Sequence, residues 1–169
     1  VMANIVSQVL IGVIATGWLT SCQPAVAPPV SDEPMRAIEH AMGTTQVPVA
    51  PQRVVVLDYA PLDTALALDN TPIGRTEMTI SPIYPEVVNN ITVVGEGLQP
   101  NLETVLQLKP DLILGSKVGI SNYYRRLSRI APTVFTTDNG RYGNWQEHFL
   151  LHADALGRTE KAEELIADY

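Results

Sequence analysis

The chain has 169 residues, 46% hydrophobic and 17% charged, with a formal net charge of -7. That length supports one domain with its own core, and the acidic balance argues against a nucleic-acid partner, because phosphate binding needs a basic face. No P-loop, GxGxxG or HExxH segment occurs, and there is no internal repeat.

The segment 1–21 carries no charge and contains the apolar run LIGVIATGWL at 10–19. Ten apolar residues are too few to span a bilayer, which takes about 20. They suit the h-region of a secretory signal, although no Lys or Arg precedes them. The run leads into Leu19-Thr20-Ser21-Cys22, and Cys22 is the single cysteine of the sequence. A hydrophobic residue, two small residues and a cysteine resemble the bacterial lipobox, which implies a lipidated Cys22; the alternative is a free or buried thiol. Residues 22–34, rich in Pro and Ala, read as a flexible tether. The folded domain is then expected over 35–169, with no disulfide to brace it.

Within that domain, 36–42 and 46–49 read as a small hairpin around Gly43. Val54–Leu57 is a continuous apolar strand of the parallel-sheet kind. Leu62, Ala65, Leu66 and Leu68 mark a helix ending near Asp69. Short strands follow at Pro72–Gly74 and Thr92–Gly95. Asn101 is an N-cap for a helix with Leu102, Val105 and Leu106 as its apolar stripe, leaving Glu103 and Gln107 on the outer face. Lys109-Pro110 ends it, and Leu112–Leu114 is a buried strand. A helix over 123–130, a strand at Thr133–Phe135, a turn-rich loop over 138–143, a helix from Asn144 to Leu156 closed by Gly157, and a last helix from Thr159 complete the series.

Strand and helix alternate with short links, which predicts an α/β fold with a mostly parallel sheet. Ligands in such sheets bind beyond the carboxyl ends of the strands. Those ends fall at Asp58-Tyr59, Arg75-Thr76, Glu96-Gly97, Ser116-Lys117 and residues 138–142.

PQRVVVL at 51–57, LAL at 66–68, PIG at 72–74, VG at 94–95, QPNLE at 99–103, LKPDLI at 108–113, YRRLSRIAPTV at 124–134 and ALGRTEKA at 155–162 follow one another in this order. Together they resemble the periplasmic-binding proteins for ferric siderophores, haem and cobalamin. The resemblance implies a Rossmann-like lobe, the first of two, with the ligand held between lobes. It implies that the glutamate of the PNLE segment, Glu103, docks on arginines of a membrane permease; read alone, Glu103 is a favourable charge at a helix N-terminus. Such proteins are roughly twice this length, and the sequence stops where the helix joining the lobes would begin, so it reads as an N-terminal lobe truncated at that helix.

The implied ligand is a ferric siderophore or similar iron chelate, with no intrinsic cofactor and no resident metal. Lys or Arg and aromatic surface suit an anionic chelate. Candidate contacts at the strand ends are therefore Tyr59, Arg75, Lys117, Arg141 and Tyr142. Hydroxamate-binding relatives place an arginine shortly before PNLE; here the stretch is GEGLQ, with no base, and Glu96 would repel an anion if it faced the cleft. His148 and His152 stand one helical turn apart, a spacing that can hold a metal, but no third ligand accompanies them and they read as core or surface histidines. No GxSxG elbow or paired nucleophile and base is visible, which argues against an enzyme.

The sequence therefore predicts the substrate-binding component of an ABC importer. It would be anchored in the periplasm or on the outer face of the cytoplasmic membrane, partnered by a permease with its ATPase. The alternative is a membrane-tethered interaction module that docks on a partner without enclosing a ligand.

Overall fold

The computed structural model describes residues 34–78, 85–140 and 143–169. Residues 1–33, which hold the signal segment, Cys22 and all of the tether but Pro34, lie outside the described residues, as do Arg141 and Tyr142.

Two strands, β1 (Met35–His40) and β2 (Gly43–Pro48), form the expected antiparallel hairpin. The main sheet contains β3 (Val54–Val56), β4 (Gly74–Glu77), β5 (Thr92–Glu96), β6 (Gln99–Pro100), β7 (Leu112–Ser116) and β8 (Thr133–Thr136), in the spatial order β6-β5-β4-β3-β7-β8. All neighbours are parallel except β5 and β6. The helices are α1 (Tyr59–Ala67), α2 (Pro85–Val88), α3 (Leu102–Gln107), α4 (Lys117–Ile120), α5 (Tyr124–Leu127), α6 (Trp145–Leu156) and α7 (Thr159–Ala167).

Side-chain alternation along the central strands divides their apolar residues between two cores. Val54, Val56, Leu112 and Leu114 pack with Leu62 and Ala65 of α1, Ala153 and Leu156 of α6, and Ala162 of α7. Val55, Leu57 and Ile113 pack with Val105 of α3, Ile120 of α4 and Leu127 of α5. A run such as VVVL can thus be apolar throughout because both faces of the sheet are covered.

Two of the motifs hold the edge of this lobe together. The Asp111 carboxylate accepts the backbone N–H groups of Gln52 and Arg53, each at 2.8 Å. The Arg53 guanidinium donates to the carbonyls of Leu108 at 2.5 Å and Lys109 at 3.0 Å, closing the C-terminus of α3. Lys109 takes φ 48°, out of the right-handed helical region that the following Pro110 disfavours.

Several expectations are corrected. The strand expected at Pro72–Gly74 runs instead from Gly74 to Glu77, because its ladder with β3 pairs Gly74 with Val55 and Arg75 with Val56. Leu106, assigned to the apolar stripe of α3, is 57% exposed, while Val105 alone is fully buried. The single helix expected over 123–130 is a 3-10 turn at Ser121–Tyr123 followed by the one-turn α5.

Candidate functional site

The strand order reverses at β3: the chain moves outward through β4 and β5, then returns to pair β7 against the opposite side of β3. This is the topological switch point at which open α/β sheets place their ligands. A groove of about 790 Å³ lies there, lined by Asp58, Tyr59, Glu77, Met78, Glu96, Gly97, Leu98, Gln99, Val118 and Asn139. Its lining comes from the carboxyl ends of β3, β4 and β5 and from the segments that follow β5, β7 and β8.

Asp58 fixes the centre of this surface. It is buried, its carboxylate accepts the Tyr59 N–H at 2.7 Å as the N-cap of α1, and its other oxygen accepts the Ser116 hydroxyl at 2.5 Å. One side chain therefore ties the end of β3 to the end of β7 and sets where Tyr59 begins its helix. Tyr59 is half-buried and lines this groove and a second one, about 400 Å³, between α1 and α6.

The loop after β8 has its own support. Asp138 accepts the Gly140 N–H at 2.8 Å and the Asn144 amide at 3.0 Å, and these bonds, the amide first, hold its carboxyl below the usual range. The buried His148 of α6 places Nε2 3.1 Å from the Thr137 hydroxyl and 3.1 Å from the same amide. Its Nδ1 faces Asp138 Oδ1 at 3.5 Å. One turn on, His152 is fully buried, and burial pulls its pKa down to about 3. The two histidines thus belong to the core, one bracing the loop, the other neutral against the sheet. Among the described residues no group of three or more His, Cys, Asp or Glu is arranged to hold a metal ion.

The residues expected at the site divide. Tyr59 is on the groove. Lys117 is exposed at the start of α4, beside the groove residue Val118, but is not itself part of the lining. Arg75 is a correction. It lies inside β4 rather than beyond its end, is only 8% exposed, and donates to the carbonyls of Val88 at 3.1 Å and Thr76 at 3.3 Å. Its guanidinium closes the end of α2 instead of facing solvent. Glu96, expected to repel an anion if it faced the cleft, does line the groove, and its ladder partner Glu77 lines it too. Glu103 is exposed on the first turn of α3, where the Asn101 side chain accepts the N–H groups of Glu103 and Thr104 at 3.0 and 3.1 Å.

Sequence reasoning put Asp58 and residues 138–142 at strand ends without singling out Asp58 or Asn139 as contacts, and it missed Leu98 and Val118, which reach the groove through the segments after β5 and β7.

A family model described as periplasmic binding protein matches residues 54–169. The chain belongs to the periplasmic binding protein family. Among its relatives, a probable siderophore-binding lipoprotein of Bacillus subtilis, YfiY, is 34% identical over 99% of this chain and 54% of its own length. The ferric-anguibactin-binding protein FatB of Vibrio anguillarum is 36% identical over 89% of this chain and 50% of its own. Among solved structures, SirA of Staphylococcus aureus complexed with staphyloferrin B superposes with a TM-score of 0.71 at 38% identity, covering 79% of this chain and 46% of SirA. The chain spans about half the length of the curated relatives it matches.

Proposed function

We propose that this chain forms the first lobe of the substrate-binding component of an ABC importer, capturing a ferric siderophore or related iron chelate. One observation carries the reading: a groove at the switch point of a parallel sheet, on a lobe that superposes on a siderophore-bound relative. The function is binding rather than catalysis. The chelate sits on the groove against Tyr59, with Lys117, Arg141 and Tyr142 as further contacts, and a second lobe supplies the facing wall.

In this reading residues 1–21 are a signal peptide and 22–34 a tether from a lipidated Cys22. The lobe spans 35–169 on the outer side of the cytoplasmic membrane. Glu103 docks on a basic surface of the permease, which is driven by its ATPase. Its exposure on the first turn of a capped helix supports that role, since its carboxylate is free of any ion pair within 4.0 Å among the described residues.

The test is titration of the 169-residue chain with ferric chelates while following Trp and Tyr fluorescence. Trp145 borders the groove between α1 and α6, and Tyr59 borders both grooves, so saturable quenching is expected. Quenching by iron-free chelator to the same extent would overturn the reading.

A further inference from the structure

Leu98 follows the turn at Gly97 between β5 and β6, and Val118 stands in α4 after β7. Both side chains line the groove, and both remain 47% exposed. Two separate segments thus bring apolar side chains to a solvent-facing surface that also carries Asp58, Glu77 and Glu96.

Leu98 packs against Gly119. Gly119 takes φ +79°, and a Cβ on it would lie 2.3 Å from Leu98 Cδ1, 3.1 Å from Cγ and 3.2 Å from Cδ2. The end of the leucine side chain therefore rests against a bare Cα, and any other residue at 119 would have to displace it. Val118 contributes by leaving helical geometry, with φ -67° and ψ 118°, so that the backbone turns to present Gly119 to Leu98. This contact orients the leucine without burying it. Ligand pockets commonly combine such an apolar wall with a few polar groups.

We propose that Leu98 and Val118, positioned by Gly119, form an apolar platform for an aromatic or otherwise apolar face of the bound iron chelate. This rests on the reading that the groove takes a chelate, and names which part of the chelate meets this lobe. Selectivity for an apolar face would then come from two residues that carry no charge.

Two uncharged tris-hydroxamate complexes of ferric iron test it, one of benzohydroxamate and one of acetohydroxamate. They present the same metal and donor atoms and differ in the phenyl group, so the carboxylates of Glu77 and Glu96 act on both alike. The unsubstituted 169-residue chain should bind the phenyl complex at least about 10-fold more tightly, since burial of that much apolar area exceeds one decade in affinity. Leu98→Ser should reduce that preference about 5-fold or more, weakening the phenyl complex more than the acetohydroxamate complex, and Leu98→Met should restore it. Gly119→Ala should act as Leu98→Ser does, and Leu98 is exposed enough that its own substitution tests the idea if Gly119→Ala does not fold. Equal affinity for the two complexes, or a preference that survives Leu98→Ser, overturns the platform while the chelate reading stands. Failure to bind any ferric chelate, ferric citrate included, overturns both.

Discussion

Asn101 and Glu103 show how differently two neighbouring polar residues can be used. Asn101 turns its side chain back onto the helix and satisfies two of the N–H groups that every helix start leaves unpaired. Asn101→Ala should therefore lower stability by about 1 kcal/mol, seen as a shift of the urea midpoint, and Asn101→Asp should keep most of it. Glu103 points outward, so Glu103→Ala should change stability by less than about 0.5 kcal/mol. If Glu103 docks as proposed, its effect is on delivery: chelate quenching should be retained while stimulation of a permease ATPase is lost. Unaltered stimulation would remove Glu103 from the docking surface. Both residues were legible in the sequence, because a cap and the first turn behind it depend only on local spacing. Arg75 was not. A cation two residues past an apolar pair reads as exposed until the sheet register places it inside a strand, with the end of α2 above it.

At the scale of elements, the links matter more than the elements. The segment from β5 to β7 is held to the start of β3 through Arg53 and Asp111, residues close to 60 positions apart in their hydrogen bonds. Asp111→Ala removes the acceptor for two backbone N–H groups and should destabilise the lobe by about 1–2 kcal/mol, measurable by urea unfolding. A similar tie joins the hairpin to the sheet. His40 Nδ1 accepts the Phe135 N–H at 3.2 Å, and Nε2 lies 2.8 Å from the Thr45 hydroxyl. Most strands and helices were visible from apolar runs and turn residues, but the one-turn α2 and α4 were not, and neither was β6. It is two residues long and exists only because the chain folds back on β5.

For the whole molecule the clearest expectation concerns pH. Burial is the leading cause that lowers the pKa of His40 and of His152, the latter to about 3, from ordinary values of 6.5. Groups whose folded-state pKa is depressed bind protons more readily in the unfolded chain. Their contribution to stability is thus complete above about pH 6.5 and erodes as the pH falls from there toward 3. The urea midpoint should drop between pH 7 and pH 5, and His152→Leu should flatten that drop; a midpoint equally pH-dependent in the variant would assign the effect elsewhere. At this scale the proposed chelate site would extend beyond this lobe. The groove is lined by the acidic residues Asp58, Glu77 and Glu96, so in the proposed reading an anionic chelate would need its balancing cations from outside this lining.

By itself the sequence determined the α/β class, the order of the longer elements, the N-cap at Asn101 and the family, since each depends on residues near one another or on motifs in a fixed order. Tertiary structure alone decided that Arg75 turns inward, that Asp58 ties β3 to β7 through Ser116, and that Leu98 rests on Gly119. Those are contacts between residues 13, 58 and 21 positions apart. Their geometry follows from strand order and register, which local propensity and periodicity do not specify.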